Sequence, residues 1–570
     1  MTATVPGTTV DPVAGTDDLA LPLDALLVDA ALGPLRRFAP GAHTLRLAGA
    51  LAARSGVAGR RLGGLAAELA RIGAGTSTVA PSARDRRFAD PAWSRSPVLR
   101  RLVQAYVATG RTVADLIADA DLDWRDDQRV RFVAENFLEA LSPSNVPLLN
   151  PASAKEGVDT AGLSFLRGAT SLARDLARAP RIPRMVDPAA YAVGHTVAAT
   201  PGAVVMRTEV LELIRYAPRT PAVRDVPLLV VPPMINKYYA VDLAPGRSLV
   251  EYLVGQGQQV FVLSWRNPDA RHAGWGLDTY VRAVLDALDA VGRITRTGRA
   301  VLAGVCAGGI IASLVAGYLA GTGHLDRLAG LALFVTLIDQ RQAGMPTALA
   351  DRRAASAAVA RSRRRGYLDG RVLAEVFAWL RPGDLIWHYW VNNYLLGRPP
   401  AAFDVLFWNA DTTRMPARLH ADFVDLALDN RLVTPGGVEV LGVPVDLGAV
   451  DADAYLVAGA ADHITPWQNC YRTVGLLGGD TRFVLAGSGH IAAIVNPPTA
   501  TNTSYRVNTA NPADPREWLR DAVTTAGSWW PEFAGWLAPR CGRERRAPRA
   551  LGAPGFAPLV EAPGTYVFDS

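Results

Sequence analysis

The sequence predicts an α/β domain with a parallel sheet, preceded by a mainly helical N-terminal domain and interrupted by an inserted cap. Residues 23–195 carry apolar side chains at three- and four-residue spacing, the period of amphipathic helices. Residues 196–570 carry short continuous apolar runs that alternate with amphipathic segments, as strands covered on both faces do. Between about residues 340 and 440 the alternation gives way to aromatic and arginine-rich sequence. An insertion of that length after a strand predicts a lid over the active face of the sheet.

The composition predicts a globular protein in a reducing compartment. Hydrophobic residues make up 49% of the 570 residues, enough for a sizeable core. The 59 basic residues exceed the 53 acidic ones but are dispersed, so the net charge of +6 does not predict nucleic-acid binding. The cysteines have neither the pattern of a disulfide framework nor a metal-binding spacing, so we predict no metal and a cytoplasmic location. Residues 1–22 lack the features of a signal peptide and predict a disordered lead-in.

The predicted strands follow one another after about Tyr191. In chain order they are AVVMRT, LELIRY, PLLVV, QQVFVLSW, RAVLAGV, LAGLALFVTLI, AYLVAGA and TRFVLAG. Amphipathic helices such as residues 278–293 separate several of them. This alternation is typical of a parallel sheet with helices on both faces.

Residues 301–323 carry no formal charge and are long enough to cross a bilayer as a helix. They also contain several glycines, each of which costs a helix about 0.5–1 kcal/mol relative to alanine. The pattern Gly304-x-Cys306-x-Gly308 lies between a predicted strand and a predicted helix. In α/β hydrolases such a turn presents the nucleophile, and its glycines let neighbouring backbone pass close by. We therefore predict a strand, a nucleophile elbow and a helix here, not a membrane span.

A catalytic cysteine needs a nearby base and a third group that orients the base. In this fold the acid and then the histidine follow the nucleophile in the chain, each after a later strand. Asp462 follows AYLVAGA, and His490 follows TRFVLAG and a glycine-flanked turn. Alone, Cys306 could be a buried apolar residue, Asp462 a turn or capping residue and His490 a loop histidine. Together they predict a Cys-His-Asp triad, whereas Cys470 and Cys541 lack this context and are predicted to be inert.

The triad needs an oxyanion hole, which in this fold uses two backbone N–H groups. The first is that of Ala307, directly after the nucleophile. The second comes from the loop after PLLVV, and because this loop begins with two prolines, which have no N–H, we predict Ile235 as the donor. His463 follows Asp462 directly and must point away if Asp462 points inward, so we predict a structural or supporting role for it.

With these residues in place, the chain resembles the polyhydroxyalkanoate synthases, bacterial polyester polymerases of the α/β-hydrolase superfamily. The segments that carry the resemblance include VPPMINKYYAVDL, SWRNPD, GVCAGG, RPGDLIWHYWVNNYLLG, FDVLFWNADTTRMPA, DHITPWQNCY, GSGHIAAIVNPP and APGTYV. They extend from about residue 200 to residue 568, and RRFADPAWSRSPVLRRLVQAYV carries the likeness into the N-terminal region.

The resemblance implies polymerisation of (R)-3-hydroxyacyl-CoA thioesters into poly(3-hydroxyalkanoate), with release of CoA and no dissociable cofactor. It maps the family's catalytic residues onto Cys306, Asp462 and His490. It further implies a homodimer that holds the growing polyester chain at the surface of cytoplasmic granules. For Asp462 two roles stay open, since the carboxylate either orients His490 or helps to deprotonate the incoming 3-hydroxyl group.

Two other functions compete with the polymerase. A cysteine-dependent acyl-CoA thioesterase or hydrolase would use the same triad and would yield free hydroxy acid. A non-catalytic granule-associated protein would carry a decayed elbow, and the intact triad argues against it.

Overall fold

A computed structural model describes most of the chain. It covers residues 42–83, 85–177, 180–340, 348–462 and 464–570. The predicted lead-in at residues 1–22, the first part of the predicted helical domain and His463 lie outside the described residues.

The described N-terminal region is helical. Its helices are α1 (Ala42–Ala53), α2 (Ser55–Ala74), α3 (Ala92–Arg95), α4 (Pro97–Ala120), α5 (Trp124–Ala140), α6 (Pro151–Asp159) and α7 (Leu163–Leu176). The longest, α4, starts as the sequence dictates: the Ser96 hydroxyl accepts from the Leu99 N–H, and Pro97 occupies the first turn, where no N–H is needed. Ion pairs from Arg61 to Asp115 and Asp119 join α2 to α4.

In the described part of the chain, the C-terminal region is built on one sheet of 11 strands. In chain order they are β1 (Gly202–Arg207), β2 (Leu211–Tyr216), β3 (Leu228–Val231), β4 (Val260–Trp265), β5 (Ala300–Val305), β6 (Leu328–Phe334), β7 (Ala454–Gly459), β8 (Thr481–Ala486), β9 (Ser504–Val507), β10 (Val523–Ala526) and β11 (Val560–Glu561). Their order across the sheet is β10-β9-β8-β7-β6-β5-β3-β4-β2-β1-β11. The central strands from β8 to β4 are mutually parallel. Both edges of the sheet are antiparallel.

The antiparallel edge formed by β1 and β2 differs from the parallel arrangement expected for the strands AVVMRT and LELIRY. Only residues 208–210 separate these two strands. A parallel connection needs a crossover of a dozen or more residues, so this short link permits only an antiparallel hairpin. The short connection, and not the continuous apolar pattern, therefore determines the relative orientation of these two strands.

The charge-free segment at residues 301–323 folds as a buried strand, a turn and a helix. Strand β5 ends at Val305, and helix α10 (Ala307–Gly321) begins directly after Cys306. Nearly all residues of both elements are buried. No helix among the described residues combines the length and the apolarity that crossing a bilayer requires.

Further helices cover the sheet and make up the predicted cap. The sheet helices are α8 (Leu249–Gly255), α9 (Leu277–Thr295), α10, α15 (Trp467–Arg472), α16 (His490–Val495), α17 (Pro515–Asp521) and α18 (Trp530–Arg540). The cap helices are α11 (Ala348–Arg365), α12 (Gly370–Leu380), α13 (Asp404–Ala410) and α14 (Ala417–Asp429), with π-helical turns at Gly383–Trp387 and Trp390–Leu395.

The N-terminal helices dock on the cap through α7. A Cβ on Gly168 would lie 1.9 Å from the Tyr394 carbonyl oxygen, so only glycine allows this approach. The Tyr394 hydroxyl donates to Asp175 at 2.8 Å, and the Asn393 amide donates to the Arg184 carbonyl at 2.7 Å. The predicted cap is therefore fastened to the N-terminal region.

The C-terminal segment is fastened to β2 through a buried carboxylate. Glu212, whose side chain has no exposed surface, pairs with Arg207 and accepts from the N–H groups of Thr565 and Tyr566 and from the Thr565 hydroxyl. The Lys237 ammonium donates to carbonyl groups of the same segment. Buried charges of this kind stabilise a fold only while all their partners are present.

We expect Glu212→Ala to lower the free energy of unfolding by about 2–4 kcal/mol, because it leaves several buried donors without an acceptor. Urea unfolding followed by tryptophan fluorescence measures this change. Glu544→Ala is the control. The Glu544 side chain is 64% exposed and pairs with Arg224 at the surface. The expected cost of this substitution is within about 1 kcal/mol. Equal losses in the two variants would contradict the role assigned to Glu212.

Candidate active site

Cys306 lies at a sharp turn between β5 and α10. Its backbone has φ 52° and ψ −121°, a conformation that non-glycine residues rarely adopt. A Cβ on Gly304 would lie 2.4 Å from the Gly309 Cα atom, and one on Gly308 would lie 2.2 Å from the Val231 carbonyl oxygen. Both flanking glycines are therefore required by close backbone approaches, the second of them to the end of β3.

The imidazole of His490 lies between Cys306 and Asp462. His490 begins α16, after the turn at residues 487–489 that follows β8, and its Nδ1 is 2.6 Å from Asp462 Oδ2. The Cys306 sulfur lies close enough to this ring to interact with it electrostatically. The structure thus brings together the three residues that the sequence nominates, although they come from three different strand ends.

Burial and charge act in opposite directions on His490. Desolvation lowers its pKa, but the Asp462 carboxylate and the Cys306 sulfur favour the imidazolium form and raise the pKa to about 10. Desolvation raises the pKa of Asp462, yet His490 and the hydrogen bonds from Thr465 outweigh it and hold that pKa below its usual value. His490 is therefore a strong enough base to take the proton of a neighbouring thiol, and Asp462 stays ionised beside it.

The two predicted oxyanion donors lie on the segments that flank the elbow. Ala307 is the first residue of α10, where backbone N–H groups have no intrahelical acceptor. Ile235 lies on the loop after β3, and this loop is bonded to the cap: Thr413 donates its N–H to the Ile235 carbonyl at 3.3 Å and its hydroxyl to the Met234 carbonyl at 2.7 Å. The cap thus helps to fix the loop that carries Ile235.

Comparison with known proteins gives a consistent result along the chain. Residues 84–253 match the family model described as the N-terminus of poly-beta-hydroxybutyrate polymerase, and residues 236–497 match that of the alpha/beta hydrolase fold. Poly(3-hydroxyalkanoate) polymerase 2 of Ectopseudomonas oleovorans is 47% identical, over 88% of this chain and 90% of the relative. Polymerase 1 of that organism is 43% identical, over 88% of this chain and 89% of the relative. The polymerase subunit of Cupriavidus necator is 38% identical, over 85% of this chain and 83% of the relative.

The chain belongs to the poly(3-hydroxyalkanoate) polymerase family. The resemblance drawn from the sequence motifs is thereby confirmed, and so is the predicted α/β-hydrolase fold class with its N-terminal helical region. Among the described residues of this polymerase, no group of histidine, cysteine, aspartate and glutamate side chains is arranged to hold a metal ion.

Three supports of the polymerase site escaped the sequence analysis. Thr465 donates its hydroxyl to Asp462 at 2.6 Å, and the cap residue Thr413 holds the Ile235 loop. The indole N–H groups of Trp529 and Trp530 donate to carbonyls of α16, at 2.6 Å and 3.0 Å. Thr465 follows Asp462 closely enough for a turn pattern to suggest it, whereas the other contacts join distant segments and leave no local signal.

The other two cysteines of the polymerase, Cys470 and Cys541, are buried. Burial raises the pKa of Cys470 well above its usual value and that of Cys541 to about 11. A thiol that is harder to ionise is a poorer nucleophile, in keeping with the inert role predicted for both. The predicted supporting role of His463 concerns a residue outside the described part of the chain.

Proposed function

We propose that the chain polymerises (R)-3-hydroxyacyl-CoA into poly(3-hydroxyalkanoate) through a covalent thioester on Cys306. The observation that carries the proposal is the proximity of Cys306, on its strained turn, to His490, whose Nδ1 is bonded to the buried Asp462. Family membership supplies the substrate class.

In the first half-reaction, His490 takes the Cys306 proton and the sulfur attacks the thioester carbonyl. The N–H groups of Ala307 and Ile235 stabilise the tetrahedral oxyanion. The carbon–sulfur bond to CoA then breaks, and the departing thiolate takes the proton from His490. Exchange of one thioester for another costs little free energy, so the acyl group stays activated.

In the second half-reaction, the 3-hydroxyl of another hydroxyacyl unit attacks the Cys306 thioester. His490 accepts the hydroxyl proton, an ester bond forms, and the Cys306 sulfur leaves as thiolate. The lengthened chain is now the thioester of the second unit's CoA, and the ion pair of sulfur and imidazolium is restored. A repeat of the first half-reaction transfers this chain back to Cys306 and releases that CoA. Water must be excluded during this cycle, and the cap over the carboxyl edge of the sheet is suited to that task.

The proposal extends to assembly and location. The family resemblance supports a homodimer that works at the surface of polyester granules in the cytoplasm.

Incubation of the purified chain with (R)-3-hydroxybutyryl-CoA and (R)-3-hydroxyoctanoyl-CoA tests the proposed function. CoA release accompanied by an insoluble, chloroform-soluble polyester is the expected result. Soluble hydroxy acid formed in step with CoA release would assign a hydrolase instead. Absence of CoA release with both thioesters would contradict the proposal.

One arginine of the predicted cap lies near Gly489, the residue before His490. A guanidinium nitrogen of Arg381 is 3.9 Å from the position of a Cβ on Gly489. The side chain is 48% exposed and pairs with Asp384. This position suits contact with a phosphate of the CoA thioester at the mouth of the site.

We expect Arg381→Gln to raise KM for the acyl-CoA about 5- to 10-fold with little change in kcat, because a lost phosphate contact weakens ground state and transition state alike. Steady-state CoA release over a range of thioester concentrations measures both constants. Arg371→Gln is the matched control, since Arg371 is also a half-exposed cap arginine and pairs with Asp369. An equal rise of KM in both variants would contradict a specific contact at Arg381.

A further inference from the structure

All hydrogen-bond acceptor positions of the Asp462 carboxylate are occupied. Its Oδ1 accepts from the N–H groups of Ile464 and Thr465, both at 2.9 Å. Its Oδ2 accepts from the Thr465 hydroxyl at 2.6 Å and from His490 Nδ1 at 2.6 Å. A carboxylate offers about four acceptor positions, so these bonds use all of them.

The Asp462 carboxylate is also inaccessible to substrate. The Asp462 side chain has no exposed surface, whereas that of His490 keeps 8%. A substrate hydroxyl that enters the site therefore reaches the imidazole and not the carboxylate. Of the two roles considered for Asp462, this geometry favours action through His490.

Thr465 supplies half of the bonds that hold the carboxylate. Its hydroxyl donates a hydrogen bond to Asp462, because an ionised carboxylate can only accept. The lone pairs of the same oxygen then face His490 Nδ1 at 3.2 Å. Two acceptors at Nδ1 place the ring proton there in the neutral histidine, and this leaves Nε2 as the basic atom.

The backbone of Thr465 is restricted as well. Pro466 follows it and disfavours helical conformations at residue 465, which keeps the hydroxyl and the N–H on the same carboxylate. The residue is only 5% exposed, so water does not compete for these bonds. Local sequence and burial therefore both fix the position of Thr465.

We propose that Thr465 is a positioning residue of the reaction, which keeps Asp462 ionised and aimed at His490 and so fixes Nε2 as the base toward Cys306. This proposal rests on the proposed function, because it assigns Thr465 a part in the same acyl transfer. Thr465 touches neither Cys306 nor a reacting atom and acts through the Asp462–His490 pair.

The pH dependence follows from the hydrogen bonds. Donation from Thr465 favours the charged carboxylate and lowers the pKa of Asp462. Removal of the hydroxyl raises that pKa, so Asp462 becomes protonated at a higher pH as the solution is acidified. The acid limb of any activity that needs ionised Asp462 then moves to higher pH.

The test compares pH profiles of full-length Thr465→Val and Thr465→Ser with that of the unaltered chain. One profile is the rate of Cys306 alkylation by iodoacetamide, followed by mass spectrometry of the Cys306 peptide, which needs no acyl-CoA. The other is kcat for CoA release. For the valine variant we expect an acid limb shifted upward by about one pH unit in both profiles and a kcat lowered about 10-fold. The serine variant keeps the hydroxyl and should retain the original limb.

Thr473→Val is the matched control. Thr473 is a buried threonine of the same region, and its hydroxyl has no hydrogen-bond partner in the described residues. An unshifted acid limb in Thr465→Val, or an equal shift in Thr473→Val, would overturn the proposal. Should valine prevent folding, Thr465→Ala removes the same hydroxyl and is judged by the same criteria. If the unaltered chain releases no CoA, the proposed function fails, while the alkylation profiles still decide the role of Thr465.

Discussion

Cys306→Ala is expected to reduce CoA release from (R)-3-hydroxybutyryl-CoA by about 10⁴-fold or more and to abolish polymer. Removal of a triad nucleophile commonly costs this much, because the remaining groups can only polarise the substrate and cannot form the covalent intermediate. The fold should be retained, since Cys306 is only partly buried and alanine differs from cysteine only by the missing sulfur. Thermal unfolding and circular dichroism check this point, and the loss of CoA release measures the effect.

Cys541→Ala is the matched control for the nucleophile. Cys541 is fully buried, at 0% exposure, and belongs to the core that packs α18 against the sheet. Its substitution should leave the rate of CoA release within about threefold of the original value, with at most a modest loss of stability. Polymer formation by Cys306→Ala at an undiminished rate would remove the nucleophile assignment.

Gly308→Ala is expected to lower kcat about 100-fold although no reactive group changes. The new Cβ would lie 2.2 Å from the Val231 carbonyl oxygen and 2.5 Å from that of Pro232, so the elbow and the loop after β3 must move apart. Misplacement of reacting groups by about 1 Å costs rate on this scale. Steady-state CoA release measures the effect, and overpacking should also lower the free energy of unfolding by about 1–3 kcal/mol.

Gly535→Ala provides the control for this substitution. Gly535 lies in α18, and a Cβ there would meet no atom within 4 Å. Alanine in a helix is about 0.5–1 kcal/mol more favourable than glycine, so this variant should keep its activity and gain slightly in stability. If Gly308→Ala were as active as Gly535→Ala, the close approach of the elbow to β3 would not matter for catalysis.

Local sequence was sufficient for the elbow and for the proximity of Cys306, Asp462 and His490, whereas their catalytic roles stay a prediction. Gly304 and Gly308 indicate a turn with close backbone approaches, and the structure gives the steric reason for each. Asp462 and His490 follow strands whose ends meet at one edge of a parallel sheet, so their proximity could be predicted from topology. Asp462 also accepts the backbone bonds of a turn residue, the alternative considered for it, because one carboxylate can serve both purposes.

Contacts between distant segments could not be predicted from the sequence. Thr413 of the cap holds the loop of Ile235, and Trp529 and Trp530 bind the end of the helix that starts at His490. The local sequence around a threonine or a tryptophan does not identify its hydrogen-bond partner, because tertiary packing determines that partner. The role of Ile235 as oxyanion donor and the domain boundaries at residues 22 and 195 stay predictions.

The most direct test of the central claim is the site of acylation. The full-length chain is mixed with a stoichiometric amount of (R)-3-hydroxybutyryl-CoA, quenched in acid and digested, and the acylated peptide is located by mass spectrometry. The mechanism predicts one hydroxyacyl unit or a short oligomer on the peptide that contains Cys306, removable by neutral hydroxylamine as a thioester is. Polymer produced while Cys306 stays unmodified and the acyl group sits on another residue would contradict it.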